Sequence, residues 1–356
     1  MSELTYFKRF DNLSDYINYI ADDPTLPNVS FVGEDRDVYY MNFDEPTPVK
    51  EYLTFKVTGN GNIAWNLSGG TDAKVLQYSK DWGQTWTSIT ASSATTIPVV
   101  SGDNVLFKGN NQSYSIGFNS GCTFKGTTCQ FELEGNIMSL LYGDNFSGQT
   151  TLANAYTFHN LFRNCNGLTS SENLVLPATT LASDCYAYMF VGCSALTTAP
   201  SILPSTTLAN GCYTSMFNGC TSLTAAPELP ATTLASDCYT YMFCACSALT
   251  TAPSILPATT LADYCYDGMF AGCTSLVTSP KLPATTLADY CYYSMFSGCS
   301  SLNYITCLAQ NISASQCTYN WVRGVASTGT FVKSTSMSGW GTGSSGIPEG
   351  WIVEDV

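Results

Sequence analysis

The side chains best equipped for chemistry are sixteen cysteines in a chain of 356 residues. Ten of them form five pairs, Cys185/Cys193, Cys212/Cys220, Cys238/Cys246, Cys265/Cys273 and Cys291/Cys299, and each pair is eight residues apart. Paired thiols could form disulfides, ligate a metal or act as nucleophiles. A zinc site wants cysteines separated by about two to four residues that converge on one point. A spacing of eight in a regular array does not provide that. Only Cys244 and Cys246 break the repeat spacing, and one C-x-C does not complete a site. Ladders of like residues do not pair off neatly into bridges. Cys122 and Cys129 could close a hairpin, and spacing alone leaves that open. Free cysteine is a small, readily buried hydrophobe, so the ten repeat cysteines are expected in the core.

The other reactive groups are sparse. His159 is the only histidine; it is read as a surface or partly packed residue, and no recognisable motif adds an orienting carboxylate or oxyanion hole to a pair with Cys165. No two carboxylates stand out as a glycosidase pair, and no glycine-rich loop follows a strand and opens a helix. The chain is read as non-enzymatic, with no cofactor and no metal.

The cysteines sit in a repeat. Leu176-Pro177, Leu203-Pro204, Leu229-Pro230, Leu256-Pro257 and Leu282-Pro283 are separated by 27, 26, 27 and 26 residues. A fixed period in this range marks a solenoid, in which each copy is one coil that buries its apolar side on its neighbours. Columns of Leu181 to Leu287, of the cysteines, of Met189-Phe190 to Met295-Phe296 and of Leu196 to Leu302 recur in every copy. Within a copy, Leu287, Cys291, Met295 and Cys299 are four apart, which predicts one face of a helical turn.

The composition excludes some partners. Net charge is −14, with 13 basic against 27 acidic residues. Nucleic-acid binding needs a basic face, and docking on anionic lipid is disfavoured for the same reason. No apolar run reaches the ~20 residues of a spanning helix, so no membrane insertion is expected. The start, MSELTYFKRFDNLSDYINYI, lacks the apolar run and cleavage site of a secretory signal. Synthesis and assembly in a cytoplasm are therefore expected, which suits unpaired cysteines.

The expected fold class is β-rich and multidomain. Residues 1–45 form a small adaptor segment, with a helix beginning near Ser14 and a hairpin turning at Gly33 to Asp37. Residues 46–140 form an all-β, sandwich-like domain, in which Leu53, Phe55 and Val57 alternate and Ile63, Trp65 and Leu67 follow a Gly59-Asn60-Gly61 turn. Residues 141–325 form a right-handed solenoid of about 26–27 residues per coil, with an atypical first copy, Thr151 to Leu176, read as a cap. Residues 326–356, rich in Gly, Ser and Trp, form a C-terminal cap.

LPATTLADYCYYSMFSGCSSL, ending at Leu302, resembles the BspA-like leucine-rich repeats of the Treponema pallidum type, with Met295-Phe296 where that family usually has Ala-Phe. The likeness covers roughly residues 150–325. It implies adhesion or partner binding, because such repeats occur in surface proteins of gut and oral bacteria and in virion proteins of their phages. PNVSFVGEDRDVYY is similar to short leaders of structural proteins from gut bacteriophages. SKDWGQTW, Ser79 to Trp86, resembles the Asp-box, whose role is to brace a turn between two strands.

Positions that vary between coils are expected to face solvent. Among them Tyr188, Tyr241, Tyr264, Tyr290 and Tyr293 are candidate ligand-surface residues, since tyrosine offers area and a hydroxyl at low entropic cost. Tyr186, Tyr213, Tyr239, Tyr266 and Tyr292 never vary between coils and are read as structural. The resulting expectation is a phage virion fibre or decoration component. It would be held to a virion structural protein through its N-terminal segment, favoured as a trimer, and would attach to a host-surface protein or glycan. A bacterial cell-surface adhesin is the alternative.

Overall fold

The computed structural model describes residues 30–32, 38–40, 51–117, 120–126 and 128–356. The chain forms two compact units, Met1–Lys50 and Glu51–Val356. In the first, β1 (Ser30–Val32) pairs antiparallel with β2 (Val38–Tyr40), Val32 opposite Val38. The expected helix near Ser14 and the expected hairpin turn lie outside the described residues.

The second unit is β-rich. It begins with β3 (Leu53–Val57), β4 (Gly61–Ser68), β5 (Val75–Ser79), β6 (Thr87–Thr90), β7 (Thr96–Val99) and β8 (Asn104–Lys108). These are followed by β9 (Ser115–Gly117), β10 (Ser120–Gly126), β11 (Phe131–Asn136) and β12 (Leu168–Val175). Two sheets result, in the orders β7-β4-β10-β9 and β12-β11-β3-β8-β5-β6. Alternation in sequence directs Leu53, Phe55 and Val57, Ile63 and Trp65, Val105 and Phe107, and Cys122 and Phe124 inward, all buried. The two inner faces meet where Phe124 packs on Phe55 and Phe107, each at 4.9 Å between ring centroids. The 75–90 hairpin carries the SKDWGQTW turn. There Ser79 Oγ donates to Asp81 Oδ1 (2.6 Å) and Asp81 accepts from Thr85 N (2.9 Å). Trp86 Nε1 reaches back to the Gly83 carbonyl (3.0 Å), so this motif is a braced turn.

The sandwich runs into the repeats without a break in the core. β11 is antiparallel to β3 on one side and parallel to β12, a strand of the first coil, on the other. Phe124 N on β10 also donates to the Leu161 carbonyl of that coil (2.8 Å). The first copy is therefore not a cap. Its outer side is covered by the sandwich, which supplies the apolar and hydrogen-bonding surface that a terminal coil would otherwise have to hide.

Within each coil, the segment around the cysteine pair is not helical, contrary to the expectation from its spacing of four. From Tyr186 to Cys193 the N–H groups alternate between two destinations. Tyr186, Tyr188, Phe190 and Gly192 donate to the next coil, at Cys212, Thr214, Met216 and Asn218. Ala187, Met189, Val191 and Cys193 donate three residues back. Each fourth residue, Asp184, Tyr188 and Gly192 in this copy, adopts a left-handed backbone with φ of 53°, 58° and 71°. A helix spends all its N–H groups internally. A train of left-cornered turns keeps the period of four while leaving every second N–H free to pair coil with coil, as a parallel strand does. Two residues of each four point inward, here Cys185-Tyr186 and Met189-Phe190, and all four are buried.

Stacking makes continuous ladders. Phe124 of the sandwich begins a row through Phe162, Phe190, Phe217, Phe243, Phe270 and Phe296, with neighbouring rings 5.3–5.8 Å apart. Tyr114 begins a second row through Phe158 and the five invariant tyrosines. Both rows end on Trp321, which stacks on Trp340 at 5.5 Å and donates its indole N–H to the Gly346 carbonyl (2.8 Å). Each offset-stacked pair adds about 0.5–1.5 kcal/mol beyond burial. A parallel sheet of β13 (Tyr304–Cys307), β14 (Thr330–Lys333) and β15 (Ile352–Asp355) continues the coils to the C-terminus. Among the described residues, no helix is long and apolar enough to cross a membrane.

Candidate binding surface

All ten repeat cysteines are fully buried and unbridged, as are Cys122 and Cys129, which carry no disulfide between them. The second cysteine of each pair does more than fill space. Cys193, Cys220, Cys246, Cys273 and Cys299 donate S–H to the carbonyls of Phe162, Phe190, Phe217, Phe243 and Phe270 in the preceding coil, at 3.0–3.2 Å. In the first column contacts of this kind are longer, 3.9 Å for Cys238 and Cys291. Burial pushes the Cys185, Cys238 and Cys299 thiols up to about 12, so they are neutral at physiological pH and poor nucleophiles. Among the described residues, no group of three His, Cys, Asp or Glu could hold a metal.

His159 is not at the surface. It is fully buried between the rings of Tyr156 and Tyr188, with Asn160 Nδ2 2.8 Å from its Nδ1. Burial, with the charge of Arg163, lowers its pKa to about 4, so the ring is neutral.

The candidate tyrosines divide. Tyr188 stands apart, beside His159. Tyr241 lies over Gly268 of the next coil, where an added Cβ would be 2.2 Å from its ring. Tyr264, Tyr290 and Tyr293 come together: Tyr264 stacks on Tyr290 at 4.5 Å, and Tyr290 meets Tyr293 at 5.8 Å. The structure adds Tyr319, stacked on Tyr293 at 5.3 Å and 44% exposed. Reading the degenerate coil against its neighbours would have found it, because Gln316 aligns with Tyr290 and Tyr319 with Tyr293.

Tyr188, Tyr241, Tyr264 and Tyr290 all occupy left-handed corners, with φ between 52° and 58°. An L-residue pays about 1–2 kcal/mol there, and Gly211, Gly268 or Asp237 stands at equivalent corners in other coils. Tyrosine at these corners is the more strained choice. The rings that stack on one another have used their faces, so the patch offers ring edges and hydroxyls. It suits a ligand rich in hydrogen-bonding groups, with an aromatic face open only at its margins.

No protein family matches the chain, and no curated protein matches it. A crystal structure of a leucine-rich repeat protein from Bacteroides ovatus is similar to 64% of this chain and 63% of that one, at 17% identity and a TM-score of 0.30. The chain thus spans less than two thirds of that protein's length.

Proposed function

We propose that this chain is a non-enzymatic binding protein, a solenoid of BspA-like repeats that presents Tyr264, Tyr290, Tyr293 and Tyr319 to a bacterial surface protein or glycan. One observation carries the reading: a surface cluster of four tyrosines, Tyr264 and Tyr319 exposed and Tyr290 and Tyr293 half-buried, with Tyr264 and Tyr290 held at strained left-handed corners. Strain retained where glycine would relieve it points to use. The similarity of its leader to those of gut-phage structural proteins supports a finer assignment, a virion fibre or decoration component anchored by residues 1–45 and attaching to the host.

The test replaces Tyr264, Tyr290 and Tyr293 together by Ala. Attachment to host cells or to their extracted surface glycan should fall by about tenfold or more, while the thermal midpoint changes little. Unchanged attachment would remove the tyrosine face from the account. A matching loss of stability would make these rings part of the core.

A further inference from the structure

A polar groove of about 320 Å³ lies between the outer face of β10 and the first coil, lined by Ser68, Thr123, Lys125, Asn160, Arg163 and Asn164 among others. Alternation along β10 builds one wall: Cys122 and Phe124 point into the core, so Lys125 points the other way. The opposite wall is a turn train, with Asn160 and Asn164 at left-handed corners (φ 62° and 55°) and Arg163 beside them. Two cations therefore meet in a chain with 27 acidic residues, and none of the lining residues is acidic. Neither Lys125 nor Arg163 forms an ion pair among the described residues, whereas Lys74, Lys80, Lys108 and Lys333 each hold an aspartate.

We infer that this groove binds an oxyanion, carboxylate or sulfate, carried on a saccharide. Lys125 and Arg163 supply the charge, and hydroxyls and amides supply donors and acceptors for the sugar. The volume falls in the range of sites that enclose an organic ligand, about 300–1,000 Å³, and exceeds what an inorganic anion fills. Arginine grips a planar carboxylate or a sulfate through two parallel N–H bonds, while lysine adds a point charge. The site uses none of the tyrosines and does not depend on them.

Isothermal titration with an oligogalacturonate and a chondroitin-sulfate hexasaccharide, against a neutral maltohexaose and inorganic sulfate, tests it. At least one acidic oligosaccharide should bind, and maltohexaose should not. Binding should weaken as salt is raised, and fall about tenfold for K125Q and again for R163Q. The Tyr264/Tyr290/Tyr293 alanine variant should keep it, which separates this site from the tyrosine face. Absence of binding by both acidic probes, or binding that survives K125Q/R163Q with the thermal midpoint intact, overturns the site. Inorganic sulfate binding as tightly as the oligosaccharides overturns the saccharide assignment.

Discussion

Replacing Asp267 by Thr should remove a pH-dependent weakness from the coil of Cys265 and Cys273. The equivalent residues in the two preceding coils are Thr214 and Thr240. Each donates its hydroxyl to a carbonyl of the following coil, Asp237 at 2.7 Å and Tyr264 at 2.6 Å. By the same register the partner for Asp267 is the Tyr290 carbonyl, to which only a protonated carboxyl could donate. Asp267 is 8% exposed and its Oδ1 has no hydrogen-bond partner. Burial first, then the charge of Asp237, raises its pKa from 3.8 to about 7. The folded state therefore holds a proton that the unfolded state releases between about pH 4 and 7. Stability is full below that window and falls as pH rises through it. A shift of this size corresponds to at most about 4 kcal/mol, and access of water to the rim of the site lowers that to about 2–4 kcal/mol. Urea unfolding of wild type and D267T at pH 4, 6 and 8 reads the difference, with m-values compared to check that only stability changes. D267T should gain about 2–4 kcal/mol at pH 8 and within about 1 kcal/mol at pH 4. Equal effects at pH 4 and 8, or a loss at pH 8, would refute the reasoning.

Further outcomes follow from the same geometry. In native protein an alkylating reagent should reach Cys244, the one half-buried thiol, well before the other fifteen, and unfolding without reductant should expose all sixteen; resistant thiols would reveal disulfides. C238S should lose more urea stability than C220S, roughly 1–3 kcal/mol against less than 1, because a serine at 220 inherits a nearby acceptor, the Phe190 carbonyl, that 238 lacks; the reverse order would contradict the assigned S–H donors. G268A should cost about 1–3 kcal/mol through its left-handed backbone and its clash with Tyr241. In the Y241S background most of the clash component should vanish, and strict additivity in the double mutant would count against the contact. Deleting residues 1–45 should leave the stacked coils folded but end incorporation into particles, and normal incorporation would remove the adaptor from the proposal.

The inward face of the coils was legible because burial repeats: Cys, Tyr, Met and Phe recur in fixed columns and line up in stacked ladders. The backbone that carries them was not. A spacing of four satisfies a helix and a train of turns equally well, and the deciding signal is a left-handed residue at every fourth position. Glycine reveals one corner at Gly192, Gly219, Gly272 and Gly298, but Ala245 fills that corner in one coil, and residues such as Tyr188 and Tyr264 fill the other two corners and hide them. His159 was misread because a lone histidine looks polar, and only the rings of Tyr156 and Tyr188 on either side show that it is buried. The groove was illegible for a different reason. Lys125 and Arg163 are 38 residues apart and meet only because the first coil docks against β10.

The most direct test of the tyrosine face is nitration with tetranitromethane, read residue by residue by mass spectrometry with and without extracted host-surface polysaccharide. The account predicts that Tyr264, Tyr290, Tyr293 and Tyr319 are modified in the free protein and protected together by the polysaccharide, while the buried Tyr213 and Tyr239 stay unmodified in both. Protection that falls elsewhere, or tyrosines that react identically in the presence of a polysaccharide shown to bind, would contradict it.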